Sequence, residues 1–509
     1  MSERKSIVLV TVDCLRADHV GFGGYTRPTT PFLDLLAKES FVFSAAIVAG
    51  APTYYSFPAI LGARPPLALG RDVLGLAPTE PTLASELKRA GYATAAFSAA
   101  NPYISARFGY DQGFDTFNDF LAGKLNAGNR DSTSDLTLKN GWASRLNRAL
   151  HDASRRLRPA ARIYDELYFQ YCQHWALPPA KSLDDLRRFP SAGQILEEAH
   201  SWLESVGRRP FFLWLHLMDP HAPYYPTQKA LELIGHEKIS ANRARYLNSF
   251  WQRDLGPRAL ARHRDDVVAL YDAGVRWVDV QMARLIDGLR ELGHWQNCIF
   301  ALTADHGEEF LDHGGRYHPP ARLLEELIRV PLLLHLPDLP KEASKNAPEK
   351  EMLQSPFSLM DLSPTLMDAA QISPPAAFQG VSRWPQIQQG SAWEQPAVVE
   401  CVSGCTNPFH PDRRFGARVL AIREARYKLV LEFDPAADRL YDLEGDPREL
   451  SPLPPAAAKP VRRRLLEYAR HHIERSRKER DLVLQLRARL AELRLEWAKP
   501  TRPSQTAGF

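Results

Sequence analysis

A chain of 509 residues can bury a large core and is long enough for two or more structural units. Its formal charge of +4 is small for that length, which argues against nucleic acid or a charged membrane surface as a partner. Five cysteines, an odd number without a Cys-x-x-Cys pair, fit a reducing compartment better than a disulfide framework. The apolar runs are too short for a signal peptide or a bilayer span, so no membrane partner is expected and the predicted location is the cytoplasm.

Ser6 to Val12 is a continuous run rich in β-branched residues, the pattern of a strand buried on both faces. It stops at Asp13, the place where open parallel sheets collect their ligands, although an aspartate there also makes a good helix cap. Pro31 to Ala37 begins an amphipathic helix. Glu39 to Pro66 reads as a strand, a small-residue turn (Ala49-Gly50-Ala51-Pro52) and a helix opening at Thr53. A hydroxyl at a helix mouth faces unpaired N–H groups and the positive end of the dipole, an environment suited to anionic oxygen. Pro58 falls within the first turns, so a later helix start is the competing reading. Ser56, one turn on, is the alternative hydroxyl.

Thr82 to Ala90 is helical, and a second buried strand follows in GYATAAFSA, ending near Asn101. Residues 121–190 change character, with Leu167, Tyr168 and Tyr171 at helical spacing, and read as a helical insertion. PFFLWLHLMDPHAPY (210–224) is a buried strand that brings His216, Asp219 and His221 to its end. Val267 to Leu292 is a long helix with Val278, Met282, Leu285 and Leu289 on one stripe. CIFALTADHGEEF (298–310) runs from a strand directly into Asp305 and His306, and VPLLLH (330–335) is a further strand.

Strand–helix alternation with ionisable residues at strand ends predicts an α/β layered fold with a metal or anion site along one edge of the sheet. Beyond Gln395 the strands shorten (VVEC, VLAIR, YKLVLEF), the pattern of a small antiparallel sheet. Cys401 and Cys405 stand in a Gly-containing loop there and carry little metal signal. The tail is a basic helix from Val461 to Lys499 with Leu486, Leu490, Leu493 and Trp497 aligned. Its stripe would pack on the body or on a second copy, which leaves a homo-oligomer open. The expected organisation is a catalytic domain over 1–394, a small-sheet subdomain over 395–460 and the helical tail over 461–509.

Asp13, Thr53, Asp305 and His306 are remote in sequence but all sit at predicted sheet edges. Two carboxylates, a hydroxyl and an imidazole suit a divalent ion such as Zn²⁺, Mn²⁺, Ca²⁺ or Mg²⁺. An ion beside Thr53 would lower the proton affinity of a hydroxyl that is otherwise a poor nucleophile. A second ion near His216, Asp219, His221 and His318 is left open. The structural alternatives are helix caps and satisfied core histidines, and Tyr54 either lines the pocket or only packs.

With these residues in view the chain resembles the sulfatase-like branch of the alkaline phosphatase superfamily. The segments that carry the likeness include VDCLRADHVGFGGYTRPTTPFLDLLA, APTYYSFPAILGARPP, FLWLHLMDPHAPY, TADHGEEFLDHGG and ARYKLVLEF. The resemblance implies an alkaline-phosphatase-like mixed sheet flanked by helices, with a smaller C-terminal antiparallel sheet. Departures from the formylglycine sulfatases are as informative. Their Cys-x-Pro-Ser-Arg is Thr53-Tyr54-Tyr55-Ser56-Phe57 here, and threonine cannot mature to the aldehyde. Their Lys-x-His pair falls on Ala99 and Asn101, their second N-terminal aspartate on Cys14, and a clamp lysine on His318. His318 resembles instead the threonine-dependent phosphoethanolamine- and phosphoglycerol-transferring relatives.

The reading that follows is a metal-dependent hydrolase of phosphate mono- or diesters or phosphonate esters. Thr53 attacks in line, and water resolves the phospho-threonine. His318 or His221 protonates the leaving oxygen. Asn101, His216, His221, His313 and Tyr54 are the candidate contacts to a small anionic ester. Three rivals stand beside it: a sulfuric ester hydrolase using unmodified threonine, a phospho-group transferase, and a non-catalytic binding relative.

Overall fold

The computed structural model describes residues 4–70, 74–121, 166–173, 177–337, 354–405, 408–410, 413–414 and 416–492, the last helix beyond 477 by its backbone alone. Most of the expected 121–190 insertion therefore lies outside the described residues. Of its stripe, Leu167 and Tyr171 fall in a short helical stretch and are exposed.

The runs of β-branched and aromatic residues form the strands they predict. β1 (Ser6–Val12), β5 (Phe211–Leu217) and β6 (Cys298–Ala304) are buried along their whole length. That burial explains why they show no polar alternation. With β2 (Phe41–Ile47), β3 (Ala93–Ser98), β4 (Thr116–Asn118), β9 (Arg329–His335) and β10 (Phe357–Ser358) they make one sheet, in the order β10-β2-β9-β6-β1-β5-β3-β4. β9 pairs antiparallel with both β2 and β6, while the other pairs are parallel, so the sheet is mixed. A two-stranded ribbon, β7 (Glu309–Phe310) with β8 (Arg316–Tyr317), rises between β6 and β9.

Helices flank this sheet. The one expected at Pro31–Ala37 is found there, and the amphipathic Arg264–Glu291 buries Val278, Met282, Leu285 and Leu289 as its periodicity requires. The helix after β2 runs Thr53–Gly62, fully buried, with Pro58 inside it. The later start is thus not what occurs. Pro58 is the sixth helical residue, so it removes one ladder hydrogen bond, and surrounding packing offsets the loss.

The C-terminal strands β11 (Ala397–Val402), β12 (Arg418–Arg423), β13 (Tyr427–Phe433) and β14 (Ala436–Asp442) form a four-stranded antiparallel sheet. The helix Lys459–Glu492 lies against it, with Leu465 and Ala469 packed among Leu420, Ile422, Leu429, Leu431 and Leu440. This part of the tail covers its own chain. The Leu486–Trp497 stripe lies outside the described side chains, and residues beyond 492 outside the described chain. A buried ion network ties the small sheet to the main body. Lys428 Nζ lies 2.6 Å from Glu449 and 3.4 Å from Glu325, and Arg423 Nε donates to Glu325 at 3.1 Å. Among the described residues no helix is long and apolar enough to cross a membrane.

Candidate active site

Register places the two central carboxylates. β1 and β6 run in parallel with Val12 opposite Ala304, so Asp13 and Asp305 leave the sheet side by side. On the other flank of β1, Thr11 is opposite His216 on β5. The Thr11 hydroxyl stands 3.0 Å from His216 Nδ1, which turns Nε2 toward Asp13 Oδ2 at 3.4 Å. The turn before the Thr53–Gly62 helix delivers Thr53 to the same point, with its hydroxyl 3.1 Å from His306 Nε2.

His306 is the hub. Its Nε2 lies 3.5 Å from Asp13 Oδ1 and 3.5 Å from Asp305 Oδ2. Its Nδ1 is 2.8 Å from the carbonyl of Gly307. A proton on Nδ1 donated to that carbonyl leaves the Nε2 lone pair for a Lewis acid, the arrangement usual for metal-binding histidines. One ligand atom each from Asp13, Asp305 and His306 falls within 4.8 Å of the others, and all three residues are buried. Among the described residues no hydrogen bond of ordinary geometry reaches the buried Asp305 Oδ2. Buried acceptors are rarely left so unless something else satisfies them. The donor set therefore fits a divalent ion, held by Asp13, Asp305 and His306 with Thr53 alongside.

Electrostatics point the same way. Burial pushes the Asp13 carboxyl up, but His221, His216 and His306 outweigh it and hold the group well below the usual carboxylate range. Burial, then the negative charge of Asp13, raises Asp305. Two adjacent buried carboxylates of this kind repel unless a cation lies between them.

Two further imidazoles stand over the centre. His318 is 4.4 Å from His306 and 5.2 Å from His221, measured between ring centroids. Both His221 and His318 are half-buried, whereas Asp13, Asp305 and His306 are inaccessible. The first pair therefore faces the open side, where a leaving group would depart. Asn101 donates from Nδ2 to Asp13 Oδ2 at 3.0 Å and accepts from the Tyr103 N–H at 3.0 Å, so it orients a carboxylate.

Other sequence candidates are placed differently. His313 belongs to a separate cluster, its Nδ1 2.7 Å from Glu326 and its Nε2 2.8 Å from the Arg448 carbonyl. Tyr54 packs on Tyr55 and Tyr103, with burial first and neighbouring Cys405 next raising its phenol. Asp219 is taken up by Arg187 at 2.6 Å and by the N–H of Ala192 at 2.9 Å, in the first turn of the helix Ala192–Val206. It is removed from any second ion by those bonds. Ser56 is buried and its hydroxyl finds no partner among the described residues. Glu308 escaped the sequence reading. It is fully buried beneath His318, and the only signal for it was the doubled glutamate that follows Asp305-His306-Gly307.

A profile described as "Sulfatase" matches residues 5–372. The chain belongs to the sulfatase family. A second profile, the C-terminal region of N-sulphoglucosamine sulphohydrolase, matches residues 316–479 of this sulfatase-family chain. It is 25% identical over 470 residues to an arylsulfatase of Clostridium perfringens, covering 88% of this chain and 90% of that protein. It is 26% identical over 286 residues to arylsulfatase K of Mus musculus, covering 51% of this chain and 49% of that protein. Among solved structures it is similar to the phosphonate monoester hydrolase of Agrobacterium radiobacter, with a TM-score of 0.65 and 19% identity, covering 94% of this chain and 96% of that one. That likeness establishes the shared mixed-sheet fold. Membership of the sulfatase branch of the alkaline phosphatase superfamily makes the protein an ester hydrolase.

Proposed function

We propose that this sulfatase-family hydrolase cleaves phosphate mono- or diesters, or phosphonate esters, through the hydroxyl of Thr53. The observation that carries the reading is the 3.1 Å approach of that hydroxyl to His306 beside the buried Asp13 and Asp305. A divalent ion bound there supplies Lewis-acid polarisation and lowers the proton affinity of the threonine hydroxyl. Thr53 gives its hydroxyl proton to solvent, attacks the phosphorus in line and is esterified as the P–O bond to the leaving group breaks. Water then attacks the phospho-threonine and restores the hydroxyl. His318 and His221 stand where the leaving oxygen departs and deliver its proton. Asn101 and His216 fix the carboxylate of Asp13, through 3.0 Å and 3.4 Å contacts.

Threonine rather than cysteine or serine at position 53 supports the phosphoryl reading, because the aldehyde hydrate of mature sulfatases cannot form on it. Sulfate-ester hydrolysis by unmodified Thr53 is the second reading, favoured by the arylsulfatase likeness across 88% of the chain. Parallel assay of bis-aryl phosphate, aryl phosphonate and aryl sulfate with Mn²⁺ or Zn²⁺ separates the two. Faster turnover of the sulfate, lost in Thr53→Ala, would replace the first reading by the second.

A further inference from the structure

His221 rides on the loop that follows β5, and that loop is clasped by a residue the threonine mechanism does not use. The guanidinium of Arg187 spans it. Nη2 donates to the carboxylate of Asp219 at 2.6 Å, just before His221, and Nη1 donates to the carbonyl of Tyr225 at 3.1 Å, shortly after it. The Arg187 side chain is 10% exposed and that of Asp219 is inaccessible. The other oxygen of Asp219 accepts from the N–H of Ala192 at 2.9 Å. Residues 187–192 therefore grip the loop from one stretch of chain.

Other elements seat the same loop. The helix Arg264–Glu291 approaches its start at Gly274, where a Cβ would stand 2.5 Å from the Asp219 carbonyl oxygen. Asn248 exchanges two hydrogen bonds with the backbone of Tyr224, at 2.7 and 2.9 Å. Between these anchors the His221 N–H donates to the Met218 carbonyl at 3.1 Å, and the ring Nδ1 lies 2.5 Å from the carbonyl of Ala222. A proton on Nδ1 donated to that carbonyl leaves Nε2 as the end that can serve a leaving group. Phe189 meets the same imidazole edge to face, with 5.4 Å between ring centroids and 84° between planes. Arg187 thus bears on His221 through the two ends of its loop, and Phe189 through the ring itself.

Proton transfer needs the donor within hydrogen-bond reach of the departing oxygen, and a misplacement of about 1 Å can cost about 10²-fold in rate. A guanidinium suits this task, because its planar fork fixes two acceptors at once, whereas an ammonium is a point charge without that geometry. We propose that Arg187 is a positioning residue for His221, holding residues 219–225 so that the imidazole meets the leaving oxygen. It acts through the loop and makes no contact with the ester. The inference rests on the proposed reading of His221 as a proton donor to the leaving group.

The test compares Arg187→Ala, His221→Ala and the double variant on alkyl and p-nitrophenyl esters, with melting temperatures as the check on folding. Arg187→Ala is expected to lower kcat on the alkyl ester about 10²-fold at unchanged KM while sparing the p-nitrophenyl ester. The plot of log kcat against leaving-group pKa should steepen as it does in His221→Ala. Because Arg187 acts through His221, the double variant is expected to lose no more than His221→Ala alone. A wild-type slope in Arg187→Ala beside a steepened one in His221→Ala, or losses that multiply in the double variant, would overturn the inference and leave the His221 reading intact. A wild-type slope in His221→Ala would remove that reading and the inference with it. Should Arg187→Ala fail to fold, Arg187→Lys keeps a charge for Asp219 but loses the fork, and its slope decides by the same comparison.

Discussion

The Thr53 hydroxyl stands 3.1 Å from Nε2 of His306, and the same nitrogen stands 3.5 Å from a carboxylate oxygen of Asp13 and another of Asp305. One imidazole atom thus faces the proposed nucleophile and both carboxylates. Asp305 and His306 are chain neighbours, whereas Asp13 and Thr53 reach this nitrogen from two other segments, so their two distances are set by tertiary packing. The four side chains stand or fall together as a chemical unit.

Removing the nucleophile tests that unit most directly. Thr53→Ala is expected to reduce kcat on bis-aryl phosphate by on the order of 10³-fold or more, as loss of a nucleophile does where the supporting residues act as one assembly. Thr53→Ser keeps a hydroxyl and should retain most of the rate. Rapid quench with labelled substrate should trap phosphate on the wild type and none on Thr53→Ala. Equal turnover by wild type and Thr53→Ala would end the assignment.

His318 is expected to matter in proportion to the basicity of the leaving group. An aryl oxide departs readily without a proton, whereas an alkoxide needs one, and general acid catalysis contributes about 10²–10⁴-fold. His318→Ala should therefore lower alkyl ester hydrolysis far more than p-nitrophenyl ester hydrolysis. A plot of log kcat against leaving-group pKa should steepen in the variant. An unchanged slope would end the assignment of His318 as the general acid.

The ion network beneath the small sheet governs acid stability. Glu325 is buried, and burial raises its carboxyl, but Arg423, Lys428 and Arg329 outweigh this and bring it to about 2. A carboxyl depressed on folding contributes stability above its unfolded pKa and loses it as pH falls through the folded value. That contribution should fade between pH about 4.5 and pH about 2. Glu325→Gln leaves Arg423 without its carboxylate and should cost about 3 kcal/mol at pH 7. Urea unfolding at pH 7 and pH 3 should show the variant's deficit shrinking at the lower pH.

Much of this was legible in the chain. Asp13, Asp305 and His306 could be found because each follows a fully buried strand, and parallel register carries such residues to one edge. The mixed sheet with its small antiparallel partner was likewise implied by the family likeness and by strand length. Tertiary choices were hidden. Asp219 and Asp13 both end buried strands, yet Arg187 and the N–H of Ala192 draw Asp219 into a structural role. His313 lies five residues before His318, but Glu326 and the Arg448 carbonyl hold it in another cluster. Pro58 argued for a later helix start, and burial of the whole Thr53–Gly62 segment overrode that local preference. Glu308 drew no reading from the sequence, since no sequence pattern reports that a carboxylate will be fully buried.

Stripping the cation should expose the cost of bringing Asp13 and Asp305 together. Asp305 is raised by burial and then by Asp13, so the folded state holds its proton more tightly than the unfolded chain does. With a raised carboxyl pKa, stability is lost as pH climbs from the unfolded value, about 4, through the folded one, and stays low above it. Asp305→Asn removes the ionisation and with it the loss. The chelator-treated variant should therefore melt at a higher temperature than the chelator-treated wild type at pH 8. Added Zn²⁺ or Mn²⁺ should reverse the order. Wild type gains about 2.7 kcal/mol at an ion concentration of 100 Kd, and the variant, lacking a charged ligand, gains little. Thermal melts of both proteins, with and without ion, measure the two effects separately. A stripped Asp305→Asn that melts below stripped wild type would mean the hydrogen bond from the His306 N–H, at 3.0 Å, outweighs the repulsion from Asp13.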